Sequence, residues 1–267
     1  MLQPSLLVKL PRNDMGNPET LNPSESRKGR IARILPLKLK DVSYEIGRMR
    51  LIKDLSVEFS ASTLTVVLGP NGAGKSLLLR LCHGLIKPSI GTVEWGGSES
   101  TSAKRYQAMV FQRPIMLRRS VFANLDHALK HRGMKKSERI GKIDEILSYT
   151  GLTRLAKISA RLLSVGEQQR LAVARAWSLD PEVLFLDEPT AALDPAATHS
   201  LEEIIDLVSK SGTKVIMSTH DLGQAKRLAD EILFLYRGRL LEKSSGTEFF
   251  NQPKNDLAQS FIRGELL

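Results

Sequence analysis

The chain predicts an α/β fold with a mostly parallel sheet, an antiparallel β edge and a helical insertion. Three observations carry that prediction. Residues 65–68 read as a short buried strand. It runs into Gly69-Pro70-Asn71-Gly72-Ala73-Gly74-Lys75-Ser76 and then into an apolar helix face begun by Leu77, Leu78 and Leu79. Residues 183–186, 214–217 after its leading Lys214, and 232–235 are continuously rather than alternately apolar, as expected of parallel strands covered on both faces. Between Gln112 and about Trp177 the pattern turns helical.

Taken in order, residues 1–36 form a basic, Pro/Ser/Asn-rich leader, expected to be flexible. Alternation begins near Ile34: Leu37, Leu39 and Val42 oppose Lys38, Lys40 and Asp41, the mark of a half-buried strand. A turn through 45–48 leads to a second strand, about 51–59. The helix after the glycine loop is expected to reach Pro88, with 89–91 as its stop. Residues 92–95 and 108–111 are further short strands. Val121, Leu125, Ala128 and Leu129 share one helical face, and Ile140, Ile143, Ile146 and Leu147 another. Helices about 195–210 and 222–230 separate the last apolar strands. The main domain is expected over 37–245, its helical subdomain over about 113–178, and a C-terminal tail over 246–267.

The glycine loop matches G-x-x-x-x-G-K-[ST] in the strand–loop–helix context that gives the pattern meaning. Glycines let consecutive backbone N–H groups turn inward where side chains would block phosphate oxygens. A helix N-terminus adds unpaired donors and a positive dipole end. Lys75 would reach the β/γ-phosphates, and the Ser76 hydroxyl would ligate Mg²⁺. Asp187 and Glu188 close an apolar strand; beside a phosphate loop, Asp187 is placed to hold Mg²⁺ and Glu188 to orient or deprotonate water. His220, just past strand 214–217, emerges at the same sheet edge as a γ-phosphate contact. Gln112 follows another strand, where its amide can accept from water and offer oxygen to Mg²⁺. Ser164 and the Gly166 backbone open a helix, either as a second anion site or simply as its N-cap.

Composition limits the function classes. A 42% apolar and 25% charged content is that of an ordinary globular protein, and no window approaches the roughly 18 apolar residues of a membrane span. Residues 1–10, broken by Pro4 and Lys9, do not make a secretion signal. The one cysteine, Cys82, rules out an internal disulfide and reads as a buried structural thiol. Half of the net charge of +10 lies in residues 1–40, where eight Lys/Arg face three Asp/Glu. No aromatic precedes Tyr44, so that segment offers no base-stacking platform and no nucleic-acid partner is expected. No Cys/His metal pattern occurs; Mg²⁺ with the nucleotide is the only metal implied.

With these stations in order, the chain resembles the nucleotide-binding subunit of ATP-binding-cassette transporters over about residues 37–245. Residues 69–76 resemble the Walker A loop and Gln112 the Q-loop residue. Residues 163–170 (LSVGEQQR) resemble the family signature, and 183–189 (VLFLDEP) Walker B. AALD at 191–194 resembles the D-loop, and His220 the switch histidine. The resemblance implies a P-loop ATPase binding ATP and Mg²⁺, working as a head-to-tail dimer of two copies. Each ATP would lie between Gly69, Pro70, Asn71, Gly72, Ala73, Gly74, Lys75 and Ser76 of one copy and Ser164, Val165, Gly166 and Glu167 of the other. Glu188 would be the general base, with His220 and Gln112 completing the γ-phosphate and water shell. Asp194 would communicate across the dimer, and Tyr44, expected just after the first strand, would stack on adenine. Val165 stands where the usual signature has a glycine, and Leu77 where threonine is common.

A single short cassette further resembles a bacterial importer subunit. It would sit peripherally on the cytoplasmic face of the plasma membrane, against permease subunits, and be served indirectly by an extracytoplasmic solute-binding protein. Residues 112–120 (QRPIMLRRS), 219–230 and 249–267 are similar to tungstate-type oxyanion importers, which implies tungstate, molybdate or a phosphate-like solute. Import of another small solute such as an amino acid, and a soluble ATPase not coupled to transport, are the alternatives.

Overall fold

The computed structural model describes residues 32–60 and 64–265. The basic leader up to residue 31, residues 61–63 with Ala61 and Ser62 among them, and the last two residues lie outside the described residues. A six-stranded sheet forms the centre, in the order β5 (Gln107–Val110), β6 (Val183–Asp187), β7 (Lys214–Thr219), β3 (Leu64–Leu68), β8 (Glu231–Tyr236) and β9 (Arg239–Ser245). The first five are parallel and β9 runs antiparallel to β8. A three-stranded antiparallel sheet, β2 (Met49–Phe59), β1 (Leu37–Ile46) and β4 (Ile90–Trp95), packs over one face. The antiparallel component is therefore both an edge strand and a separate layer.

The unbroken apolar strands are explained by two cores. In β3, Val66 and Leu68 face one core and Val67 the other; in β6, Leu184 and Leu186 part from Phe185 in the same way. The first core is closed by helices: α2 (Val121–His131), α3 (Lys136–Tyr149), α4 (Val165–Ser178), α5 (Pro195–Lys210), α6 (Leu222–Leu228), α7 (Gly246–Asn251) and α8 (Asp256–Ile262). The second lies beneath the three-stranded sheet and α1 (Lys75–His83), whose Leu78, Leu79, Leu81 and Cys82 are buried. Burial raises the Cys82 thiol far above its ordinary range, so it stays protonated and inert.

Several boundaries differ from expectation. Helix α1 ends at His83, not Pro88, because Gly84 turns left-handed (φ 76°) and its N–H bonds back to Arg80 and Leu81. Ile90 and Gly91 then belong to β4 instead of forming a stop. The described part of the tail, 246–265, is built into the fold: Phe249, Ala258 and Phe261 enter the first core. The leader's last residues also pack, with Ile34 and Leu35 buried and their N–H groups donating to the Glu182 carboxylate. Ile140, expected on the buried face of α3, is exposed. Tyr44 lies inside β1, opposite Ile52, and not after the strand.

Candidate nucleotide site

Parallel pairing aligns the strand ends. Asp187 pairs with Ser218, and Leu68 with Thr219, so Gly69, Glu188 and His220 leave the sheet at one edge. Gln112 follows β5, whose Val110 pairs with Leu186, and stands exposed at that same edge.

The glycine loop is shaped by what surrounds it. A Cβ on Gly69 would lie 2.1 Å from the Leu235 carbonyl oxygen, and one on Gly74 2.8 Å from Ile52 Cδ1. Gly72, with φ +77°, faces open space. From outside, the turn between β8 and β9 braces the loop: Gly238 N–H donates to Ala73 O at 2.9 Å, and Lys53 N–H to Gly238 O at 2.8 Å. Gly74 caps α1 with no side-chain acceptor, and no acidic residue lies in the first turn. Elsewhere Ser120, Ser164 and Asp194 each cap the helix they precede. The start of α1 thus keeps its N–H donors and positive dipole end for a ligand.

Around this cradle the charged groups converge. Buried Lys75 donates to Gly69 O (2.8 Å) and Pro70 O (3.0 Å) and pairs with Glu188 at 3.2 Å. Burial lowers the Lys75 pKa from its ordinary value, while Glu188 pulls it the other way. Ser76 Oγ donates to Asp187 Oδ1 at 2.7 Å, and Ser218 Oγ reaches the same oxygen at 2.9 Å. Glu188 has φ +43°, uncommon for a residue with a side chain, and its N–H is held by Ser218 Oγ at 3.0 Å. His220 Nδ1 stands 3.3 Å from Glu188 Oε2. Free backbone N–H donors, a buried ammonium, a hard-oxygen pair, a carboxylate and an imidazole therefore share one edge. Such a set can hold a polyphosphate, a divalent cation and an attacking water together.

Other predicted residues stand apart. Tyr44 is half-buried against the second core, and its cross-strand partner Ile52 touches the Gly74 side of the cradle. Ser164–Glu167 do not join the Lys75 cluster; they line a separate depression with Leu193, Asp194 and Ala197. There Ser164 and Glu167 form a capping box, and Val165 is 57% exposed. Gly166 has a packing role in the chain itself, since a Cβ would sit 2.9 Å from Ala197 Cβ. Sequence reasoning passed over Ser218, although it sits beside His220. Its hydroxyl meets Asp187 only because β6 and β7 pair in that register.

A family model described as "ABC transporter" matches residues 52–191. Among curated proteins, the chain is 42% identical to a tungstate uptake system ATP-binding protein, TupC, of Peptoclostridium acidaminophilum, covering 70% of this chain and 88% of that one. It is 36% identical to a phosphate import ATP-binding protein, PstB, of Mycoplasmoides gallisepticum (80% and 71% covered). It is 35% identical to a methionine import ATP-binding protein, MetN, of Sodalis glossinidius (80% and 66% covered). Among solved structures, cbiO1 of Clostridium perfringens, part of the ABC transporter complex cbiONQ, superposes with a TM-score of 0.74 at 25% identity, covering 86% of this chain and 96% of that one.

Proposed function

The chain belongs to the ABC transporter family as an ATP-binding, ATP-hydrolysing subunit, and from that premise we propose that it drives import of a small oxyanion, tungstate foremost. The observation that carries the catalytic part is the convergence of Lys75, Ser76, Asp187, Glu188 and His220 at one sheet edge. In this reading the 69–76 backbone and the α1 N-terminus cradle the phosphates. Lys75 exchanges its carbonyl and Glu188 partners for phosphate oxygens. That frees Glu188 to accept a proton from water, with His220 against the γ-phosphate. Ser76 and Asp187 present hard oxygens to a common point, which suits Mg²⁺, with Gln112 available from the β5 end. Mg²⁺ held there would neutralise charge on the β- and γ-oxygens. Tyr44 takes the adenine side.

Ser164–Glu167 and Asp194 line a depression that does not include the Lys75 cluster, which supports the reading that they complete the site of a second copy. Permease subunits would meet the exposed run after Gln112, where Ile115 is 80% exposed among Arg113, Arg118 and Arg119. None of the described helices is long and apolar enough to cross a membrane; the likeness to import ATP-binding proteins supports a peripheral place on the cytoplasmic face. The oxyanion reading rests on the tungstate and phosphate relatives, and the methionine relative supports the competing solute class. In a strain lacking this chain, tungstate uptake is expected to fall to background and methionine uptake to persist; the reverse result removes the oxyanion. For catalysis, Glu188→Gln is expected to lower ATP turnover by about 10²-fold or more while ATP-bound dimer accumulates. Unchanged turnover would overturn the base assignment.

A further inference from the structure

Behind the Glu188–His220 pair lies a buried polar node that the mechanism above does not use. Gln224, in the first turn of α6, is fully buried. Its Nε2 donates to Thr190 Oγ1 at 3.0 Å and to Glu202 Oε1 at 3.1 Å, and its Oε1 lies 3.2 Å from the Thr190 hydroxyl, which can donate to it. Its backbone N–H donates to Asp221 Oδ1 at 2.9 Å, and Asp221 N–H to Thr219 Oγ1 at 3.1 Å. Glu202, on α5, is itself buried and held by Arg227 through Nε at 2.8 Å and Nη2 at 2.7 Å. Thr190 follows Glu188 by two residues, and Gln224 follows His220 by four. One amide side chain therefore joins three segments: the strained Glu188 turn, the His220 loop with α6, and α5.

We propose that Gln224 is a positioning residue for hydrolysis, fixing the Glu188 turn against the His220 loop through Thr190 and the Glu202–Arg227 pair. This rests on the reading of Glu188 as base and His220 as its γ-phosphate neighbour. The chemistry suits an amide specifically. Thr190 offers a hydroxyl and Glu202 an acceptor, and the two Nε2 protons let one side chain donate to both. Arg227 fixes the Glu202 carboxylate bidentately, so the node is anchored on a rigid helix and not on another loop. Glu188, at φ +43°, has an unfavourable backbone conformation that its surroundings must impose. Ser218 holds its N–H from one side, and the Thr190–Gln224 contact fixes the turn from the other.

The test is Gln224→Met in the full chain, read by amide hydrogen exchange without nucleotide and by steady-state ATP turnover. Exchange is expected to rise about tenfold over residues 188–193 and 219–223, with α4 and β9 unchanged. ATP turnover should fall about tenfold in kcat with KM for ATP held within threefold. Thr190→Val, which spares Glu202 and Arg227, should give the same pattern, and the double variant should be no worse than either single one. Unchanged exchange in those two segments, additive losses in the double variant, or a loss carried wholly by KM would overturn the proposal. Failure of the underlying reading is separable: Glu188→Gln would then leave turnover intact whatever Gln224→Met does to exchange.

Discussion

The two edges of the central sheet both bury charge and use it in opposite ways. At the carboxyl edge Lys75, Asp187, Glu188 and His220 surround a glycine cradle whose helix start has no cap of its own. At the amino edge the polar groups answer one another. Lys214 Nζ donates to Thr65 Oγ1 at 2.8 Å, which in turn donates to Glu231 Oε2 at 2.9 Å. Asp230 accepts from Leu64 N–H at 2.7 Å, and Glu182 accepts from Arg33, Ile34 and Leu35. Buried charge alone therefore marks neither edge as a site. What distinguishes the carboxyl edge is unspent backbone donors facing a space that the glycines keep free of side chains.

That contrast is broken most severely at Lys75. Lys75→Ala is expected to weaken ATP binding by about 100-fold, since it removes a buried, charge-assisted partner of phosphate. Titration calorimetry checks it; a loss under threefold would mean that the cradle binds by backbone alone. The matching change at the other edge is Glu182→Ala. It strands N–H groups of the 33–35 segment and should cost about 2–3 kcal/mol of unfolding free energy in denaturant melts, with ATP affinity unchanged. Were ATP affinity to fall with it, the two edges would not be independent.

Much of the carboxyl edge was legible because its signals are local. The G-x-x-x-x-G-K-S run, the Asp-Glu closing an apolar strand and the His after another each declare themselves within eight residues. The rest depends on pairings that sequence spacing hides. Leu235 O closes over Gly69, and Gly238 N–H holds Ala73, from more than 160 residues downstream. Glu182 clamps a segment nearly 150 residues upstream. The helices of the tail were not foreseen because α7 and α8 are six and seven residues long, too short to show a helical period. Tyr44 was placed past its strand because β1 carries register shifts between Leu39 and Glu45, which blur the alternation that marks a strand's end.

A subtler separation of the edges comes from pH. Burial lowers the Lys214 pKa from 10.5 to about 8. Between those values the unfolded chain binds more protons than the folded one, so stability gains from this group as pH rises. Wild type should gain on Lys214→Met by about 1 kcal/mol per pH unit within that window. Parallel curves for the two proteins would show that Lys214 keeps an ordinary pKa. ATP affinity at fixed pH should be the same in both, because Lys214 lies at the far end of β7 from His220.

The smallest effect on the single chain is expected at Ser164, and it decides whether α4 opens a site like α1 does. Ser164 Oγ accepts from Glu167 N–H, and the Glu167 carboxylate returns to the Ser164 N–H at 2.8 Å. The helix start is thus satisfied within one chain, unlike that of α1. Ser164→Ala should cost about 1 kcal/mol of stability through the lost cap. ATP binding by one copy, measured at concentrations too low for dimer, should not change. If the α4 start serves a second copy's nucleotide, the same variant must also lower turnover more than tenfold, and mixing it with a Glu188→Gln chain should restore part of that loss. In such a mixed dimer one of the two interfaces pairs an intact Glu188 with an intact Ser164. Stability loss with full turnover would reduce Ser164 to a helix cap, and the α4 depression would then be a packing feature of the α4–α5 contact.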